Sequence, residues 1–183
     1  MAVITLKSSN KASNCNNIRL PKTKGAGSVF IYTYVNNKVY VLLGLEYNGE
    51  YNIALGKRDG NETFVDAASR ELNEEMHIYI SPEDLKSYPY WIDVQKLNNK
   101  IHNVVLLYFV YLPIFIPATY FTKSINPDDK LTMLDYIWVP LDLLLTSNTR
   151  VVTLNCGKVI KLRRYLKSLL KLFVKKHLNS LLV

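Results

Sequence analysis

Three carboxylates crowded onto one short stretch carry the chemistry of this sequence. Glu71, Glu74 and Glu75 fall at i, i+3 and i+4, so a helix would bring them to one face. Such a cluster repels itself unless a cation lies among the acids. Oxygen ligands without His or Cys suit a hard divalent ion, Mg2+ or Mn2+. The same stretch has an apolar stripe, Val65, Ala68, Leu72 and Met76, and its spacing predicts a helix over residues 63–76. An acidic helix face by itself is equally what a solvated helix shows. The surroundings narrow the choice: Gly56 precedes Glu62 by six positions, and Arg70 follows Glu62 by eight.

Taken together, Gly56, Glu62, Arg70, Glu71, Glu74 and Glu75 resemble the Nudix box, Gly-x5-Glu-x7-Arg-Glu-U-x-Glu-Glu-x-Gly-U with U apolar. The resemblance spans roughly residues 26 to 178 and implies an α/β fold, a Nudix-type α/β/α sandwich with a mixed β-sheet. It also implies hydrolysis of a diphosphate linked to a nucleoside or another group. By position, Glu71, Glu74 and Glu75 would bind or organise the metal, with the Gly56 carbonyl as a further ligand. Glu62 and Arg70 would pair to fix the loop against the helix. Either Glu71 or Glu74 would serve as the general base, or an acid from a later loop would, for which Asp128, Asp129 and Asp135 are the candidates. Lys57 and Arg58, beside the box, either hold phosphate or are solvated loop charges. His77 stands where the family has glycine, just past the helix end, and this departure bears on the loop after the helix.

The box needs strands to hold it. Residues 28–34 and 39–45 read as β-branched and aromatic strands around an Asn36-Asn37 turn, and residues 51–55 as a short strand leading into the box. Further strands are expected at 88–94, 101–112 and 134–139. The run from Val104 to Phe121 carries no charge, but Pro113 and Pro117 break it. It therefore reads as a central strand with a Pro-rich turn, and no transmembrane segment is expected. Residues 1–24 read as a flexible basic arm, and residues 25–183 as one domain closing in a basic helix over about 159–183. The region around Cys156-Gly157 reads either as a small hairpin or as the approach to that helix.

The formal charge of +8 hides a segregation. All fifteen acids lie between Glu46 and Asp142, where only eight Lys and Arg accompany them. The last 41 residues carry nine basic residues and no acid, and the first 45 carry six and none. An acidic middle suits a cation site, whereas basic flanks suit RNA or an anionic membrane surface. Two cysteines make no disulfide framework, and the opening residues lack an export-type apolar run, so a cytoplasmic setting is expected. Tyr88, Tyr90 and Trp91 either stack on a base or pack in a core.

The substrate is thus expected to be nucleoside-diphosphate-linked. The abundance of Asn, Lys, Ile and Tyr matches AT-rich genomes, among them large DNA viruses, whose Nudix enzymes include cap-removing ones. By that analogy the leading expectation is mRNA 5′ cap removal releasing m7GDP. A small-molecule pyrophosphatase or a non-catalytic RNA-binding protein are the alternatives. The sequence leaves the oligomeric state open.

Overall fold

The computed structural model describes residues 4–5, 25–97, 101–121 and 133–178. Two compact units form, each from two stretches of chain: Met1–Val29 with Ala54–Tyr108, and Phe30–Ile53 with Phe109–Val183. The fold class is α/β, a mixed sheet with flanking helices. Two strands, β2 (Gly25–Val35) and β8 (Ile101–Tyr111), contribute residues to both units. β2 has eight consecutive buried residues, as expected of a strand covered on both faces.

In the first unit, β5 (Ala54–Lys57) pairs antiparallel with the start of β2, Gly27 opposite Gly56. Strand β7 (Tyr90–Leu97) pairs antiparallel with β8. Helix α1 (Phe64–Met76) is set by local chemistry at both ends. Thr63 caps it by accepting from the Asp66 N–H, and Asp66 accepts from the Thr63 N–H, a closed capping box. The four stripe residues Val65, Ala68, Leu72 and Met76 are all buried. A Cβ on Gly27 would lie 2.3 Å from the Ala68 nitrogen, so only glycine lets β2 approach the helix backbone this closely. Beyond α1, β6 (Ile78–Tyr79) pairs in parallel with β1 (Ile4–Thr5). Helix α2 (Pro82–Leu85) starts with a Ser81 cap and Pro82 at its first position.

In the second unit, the Asn36-Asn37 turn has positive φ at both residues, the backbone that a tight two-residue hairpin demands. It joins β2 to β3 (Lys38–Leu45). Strands β4 (Tyr51–Asn52) and β9 (Tyr136–Pro140) both pair antiparallel with β3. Helix α3 (Leu141–Thr146) follows β9 directly. Strands β10 (Val151–Thr153) and β11 (Val159–Lys161) form a hairpin around Gly157, whose φ is +82°.

The closing helix therefore starts later than the sequence suggests. Val159 and Ile160 are β-branched and take the hairpin, and α4 runs from Leu166 to Phe173 before a π-helical turn at Val174–Leu178. The uncharged run after Val104 is strand and then Pro-rich turn. No helix among the described residues is long and apolar enough to cross a membrane. The expected basic arm lies outside the described residues, apart from β1.

The core of the second unit holds a polar pair. His177 is buried and its Nε2 lies 2.6 Å from the Tyr32 hydroxyl, among the rings of Phe109 and Phe173. Burial holds the His177 imidazole down at about 4, from an ordinary 6.5. Lys175 and Lys176, on its own turn, carry the nearest charges along the chain. Between those two pH values the unfolded chain binds a proton that the folded chain does not, so stability falls as pH drops from 6.5 towards 4. The loss attributable to this residue is expected to reach about 3 kcal/mol. Urea unfolding at pH 7 and pH 4 should show a smaller difference for His177→Gln than for the parent. An equal difference would mean His177 is not the group responsible.

Candidate active site

The six box residues all fall in the first unit, and the guanidinium of Arg70 joins most of them. Its Nε donates to Glu62 Oε1 at 2.8 Å and its Nη2 to Glu62 Oε2 at 3.1 Å, a two-pronged pair. Nη1 donates to Glu71 Oε1 at 2.7 Å and to Glu74 Oε2 at 2.9 Å. Nη2 also reaches the Lys57 carbonyl at 2.9 Å, which ties the loop after β5 to α1. The hydrogen bonds to Glu62 lead in pushing the Arg70 pKa up, and the same contact leads in holding the Glu62 carboxyl below its usual range.

The carboxylates do not share one environment. The Glu71 side chain is 13% exposed and the Glu74 side chain 48%. Burial raises the pKa of Glu71 even against Arg70. Its carboxylate occupies the space a side chain would take on Gly56: a Cβ there would fall 1.6 Å from Glu71 Oε1. Glycine in the box is thus a cradle for this carboxylate. Glu75 is buried, and its Oε2 accepts the Leu55 N–H at 2.9 Å, pinning α1 to β5.

The loop before the helix is built around Glu62. Glu62 Oε2 accepts the Asp59 N–H, and the Asp59 carbonyl accepts the Glu62 N–H, both at 2.9 Å. Lys57 is exposed. The Arg58 guanidinium lies over the Phe64 ring at 4.4 Å and donates to the Glu62 carbonyl at 3.2 Å, a positioning role for one of the two phosphate-binding candidates. Asp59, Asp66 and Phe64 shape the loop and were not singled out from the sequence. The Thr63-x-x-Asp66 spacing was a readable signal for one of them.

His77 adopts φ +53°, the left-handed conformation its position demands, and its N–H closes onto the Asn73 and Leu72 carbonyls. Asp135 belongs to the second unit and pairs with Lys158 at 3.5 Å. Asp128 and Asp129 lie outside the described residues. Tyr88, Tyr90 and Trp91 are half-buried, and Tyr90 stands 5.6 Å from the Tyr108 ring centroid.

Among the described residues, no three His, Cys, Asp or Glu side chains converge closely enough to hold an ion as they stand. The donor chemistry nevertheless fits a hard cation. Glu71 and Glu74 already converge on one positive group, and the Gly56 cradle sets the Glu71 carboxylate against the backbone of β5.

Several solved structures share this architecture. A crystal structure of a C. elegans Ap4A hydrolase binary complex aligns over 84% of this chain and 96% of its own, at 18% identity and a TM-score of 0.51. A mutT/nudix family protein from Listeria innocua aligns over 90% and 100%, at 17% identity and 0.52. The fold is the Nudix fold. The NUDIX domain of Shewanella oneidensis NrtR, complexed with ADP ribose, aligns over 88% and 94%, at 15% identity and 0.50. No family model matches the sequence, and neither does any curated protein. At such identities the likeness carries the Nudix fold and nothing finer.

Two stability predictions follow from the geometry of α1. Glu75→Ala removes a buried acceptor of the Leu55 N–H and is expected to cost about 1–3 kcal/mol, whereas Glu74→Ala, at an exposed position, should cost about 0.5 kcal/mol or less. Urea denaturation of the two variants checks the order, and equal losses would contradict it. His77→Gly relieves a left-handed backbone and should raise stability by on the order of 1 kcal/mol. A lower melting temperature for that variant would show that the His77 side chain contributes more than its backbone costs.

Proposed function

We propose that this chain is a metal-dependent pyrophosphohydrolase acting on a diphosphate linkage in a nucleoside-diphosphate-linked substrate. The observation that carries the reading is the pair Glu71 and Glu74, drawn together by Arg70 beside the Gly56 cradle on a Nudix fold. Two of the similar structures add support by their ligands or activity. One is a hydrolase of Ap4A and one is complexed with ADP ribose, both molecules built on linked phosphates.

Glu71 and Glu74, with the Gly56 carbonyl and Glu75, are the residues we assign to hold Mg2+ or Mn2+. Such an ion would supply charge neutralisation for the diphosphate and activation of water. The chain's own residues do the rest. Arg70 and Glu62 hold the loop and helix in one geometry, so the carboxylates need little reorganisation when substrate binds. Glu75 fixes the height of α1 against β5. A carboxylate of the Glu71–Glu74 pair takes the proton from the attacking water, and burial raises the proton affinity of Glu71. We assign Lys57, which is exposed at the end of β5, to meet a phosphate.

For the leaving group, charge favours a long polyanion. The last 41 residues are basic without a single acid. We therefore assign capped RNA as the substrate. Water adds to one phosphorus of the cap bridge, one P–O bond breaks, and m7GDP leaves a 5′-monophosphate end. The exposed Cys156 thiol suits a reducing compartment such as the cytoplasm.

Turnover should be measured on a panel of nucleoside diphosphate derivatives, dinucleoside polyphosphates, diphosphoinositols and capped RNA, with Mg2+ or Mn2+. Hydrolysis is expected to stop on chelation and to fall about 10²-fold or more in a folded Glu74→Gln variant. Full activity in that variant would remove the assignment. Hydrolysis of small substrates alone, with no inhibition by uncapped RNA, would replace capped RNA with a compact polyphosphate.

A further inference from the structure

The outer side of α4 carries charge that the fold leaves unmatched. Leu166, Leu169, Leu170 and Phe173 are buried, so the apolar side of the helix is spent inside the second unit. Lys171 and Lys175 are exposed one turn apart, with Arg164 exposed just before the helix. Among the described residues no carboxylate lies within ion-pair distance of these three. Of the unit's described acids, Asp142 accepts the Leu143 N–H and the other three pair with cations outside this row. Glu46 and Glu50 pair with Arg150, Lys161 and Arg163, and Asp135 pairs with Lys158. Crowding of like charge reaches Lys167 too: burial first and Lys171 second lower its pKa.

The basic row ends beside aromatic rings. His177, two residues beyond Lys175, meets the Tyr32 hydroxyl. Strand alternation puts Tyr34 on the same face of β2 as Tyr32, and Tyr111 on the same face of β8 as Phe109. Tyr34 and Tyr111 are 43% and 41% exposed, with ring centroids 5.7 Å apart. The two tyrosines pack edge to face, and Tyr32 links both to His177 at the end of the basic row, so their exposed parts offer stacking for bases while the lysines of the same unit offer cations for phosphates.

We propose that this surface, Tyr34 and Tyr111 with Lys171 and Lys175, binds single-stranded RNA. It deepens the capped-RNA reading and rests on it for the role of the bound strand. The binding itself requires no hydrolysis. Duplex grooves would leave the tyrosines without bases to stack on, because stacking needs unpaired bases. An anionic membrane fits less well, because a helix lying on a bilayer inserts its apolar face, and here that face is buried.

The test uses the full chain and uncapped oligouridine, with fluorescence anisotropy over a salt series. Lys171→Gln with Lys175→Gln should weaken binding about tenfold and reduce the slope of log affinity against log salt by about 1.4, as expected for two lost phosphate contacts on a single strand. Tyr34→Leu with Tyr111→Leu should weaken binding about tenfold with the slope unchanged, because stacking releases no counterions. Both double variants should hydrolyse a small nucleoside-diphosphate-linked substrate at the parent rate, which separates loss of this surface from loss of the active site. Circular dichroism melting checks that both fold. Unchanged RNA affinity in both variants overturns the proposal. So does binding of phosphatidylserine vesicles that the lysine variant loses while RNA binding persists.

Discussion

The first unit depends on one guanidinium. Without Arg70, α1 would carry Glu71 and Glu74 one turn apart, with Glu62 facing the same region from the loop. Like charges at such spacing oppose the helix. Arg70 reverses the sign of the problem because its donors are spread in a plane. Two prongs go to Glu62, and Nη1 is shared between Glu71 and Glu74. A lysine would present a single point of charge and could not hold the loop acid and the helix acids in fixed relative positions. The carbonyl of Lys57, at the end of β5, uses the remaining donor capacity, so strand end, loop and helix become one piece.

Glycine makes that piece compact. At Gly27 the constraint is backbone against backbone, strand to helix, and at Gly56 it is backbone against carboxylate. The second matters for chemistry. Pressing Glu71 onto the Gly56 backbone removes it from water and raises its proton affinity, while Arg70 pulls the other way. Glu74, more exposed, lacks the burial that governs Glu71. Two acids related by less than one helical turn therefore differ in environment. That difference sets this stretch of α1 apart from a uniformly solvated acidic surface.

The apolar stripe was legible because helical periodicity puts Val65, Ala68, Leu72 and Met76 inward, whereas the box positions were read from their resemblance to the Nudix pattern, and Glu75 turned out to be buried. The Asn36-Asn37 hairpin was legible as well, since few residues accept positive φ twice in succession. What escaped the sequence depends on contacts across long separations. Nothing in the order of residues marks Glu75 as an acceptor for Leu55, or Arg58 as a cover for Phe64. The start of the closing helix escaped because Val159 and Ile160 fit an apolar helical stripe and a short strand equally well. The Asn155-Cys156-Gly157 turn and strand β10 decide it in favour of strand.

Charge counted along the sequence also misleads about charge at a surface. Nine basic residues and no acid in the last 41 suggest a uniformly positive segment. In the folded second unit, Arg150, Lys161 and Arg163 close on the buried Glu50, Arg163 also meets Glu46, and Lys158 answers Asp135. Lys161 leads in holding the Glu50 carboxyl below its usual range, as befits an acid that anchors the hairpin. Those four cations belong to the architecture, where their partners limit what they offer a ligand. The positive charge left to act outward gathers along α4, where Lys171 and Lys175 face solvent over a helix whose opposite side is fully buried. The fold thus turns a diffuse excess of charge into a directional one, and only the directional part can select how a polyanion lies on the protein.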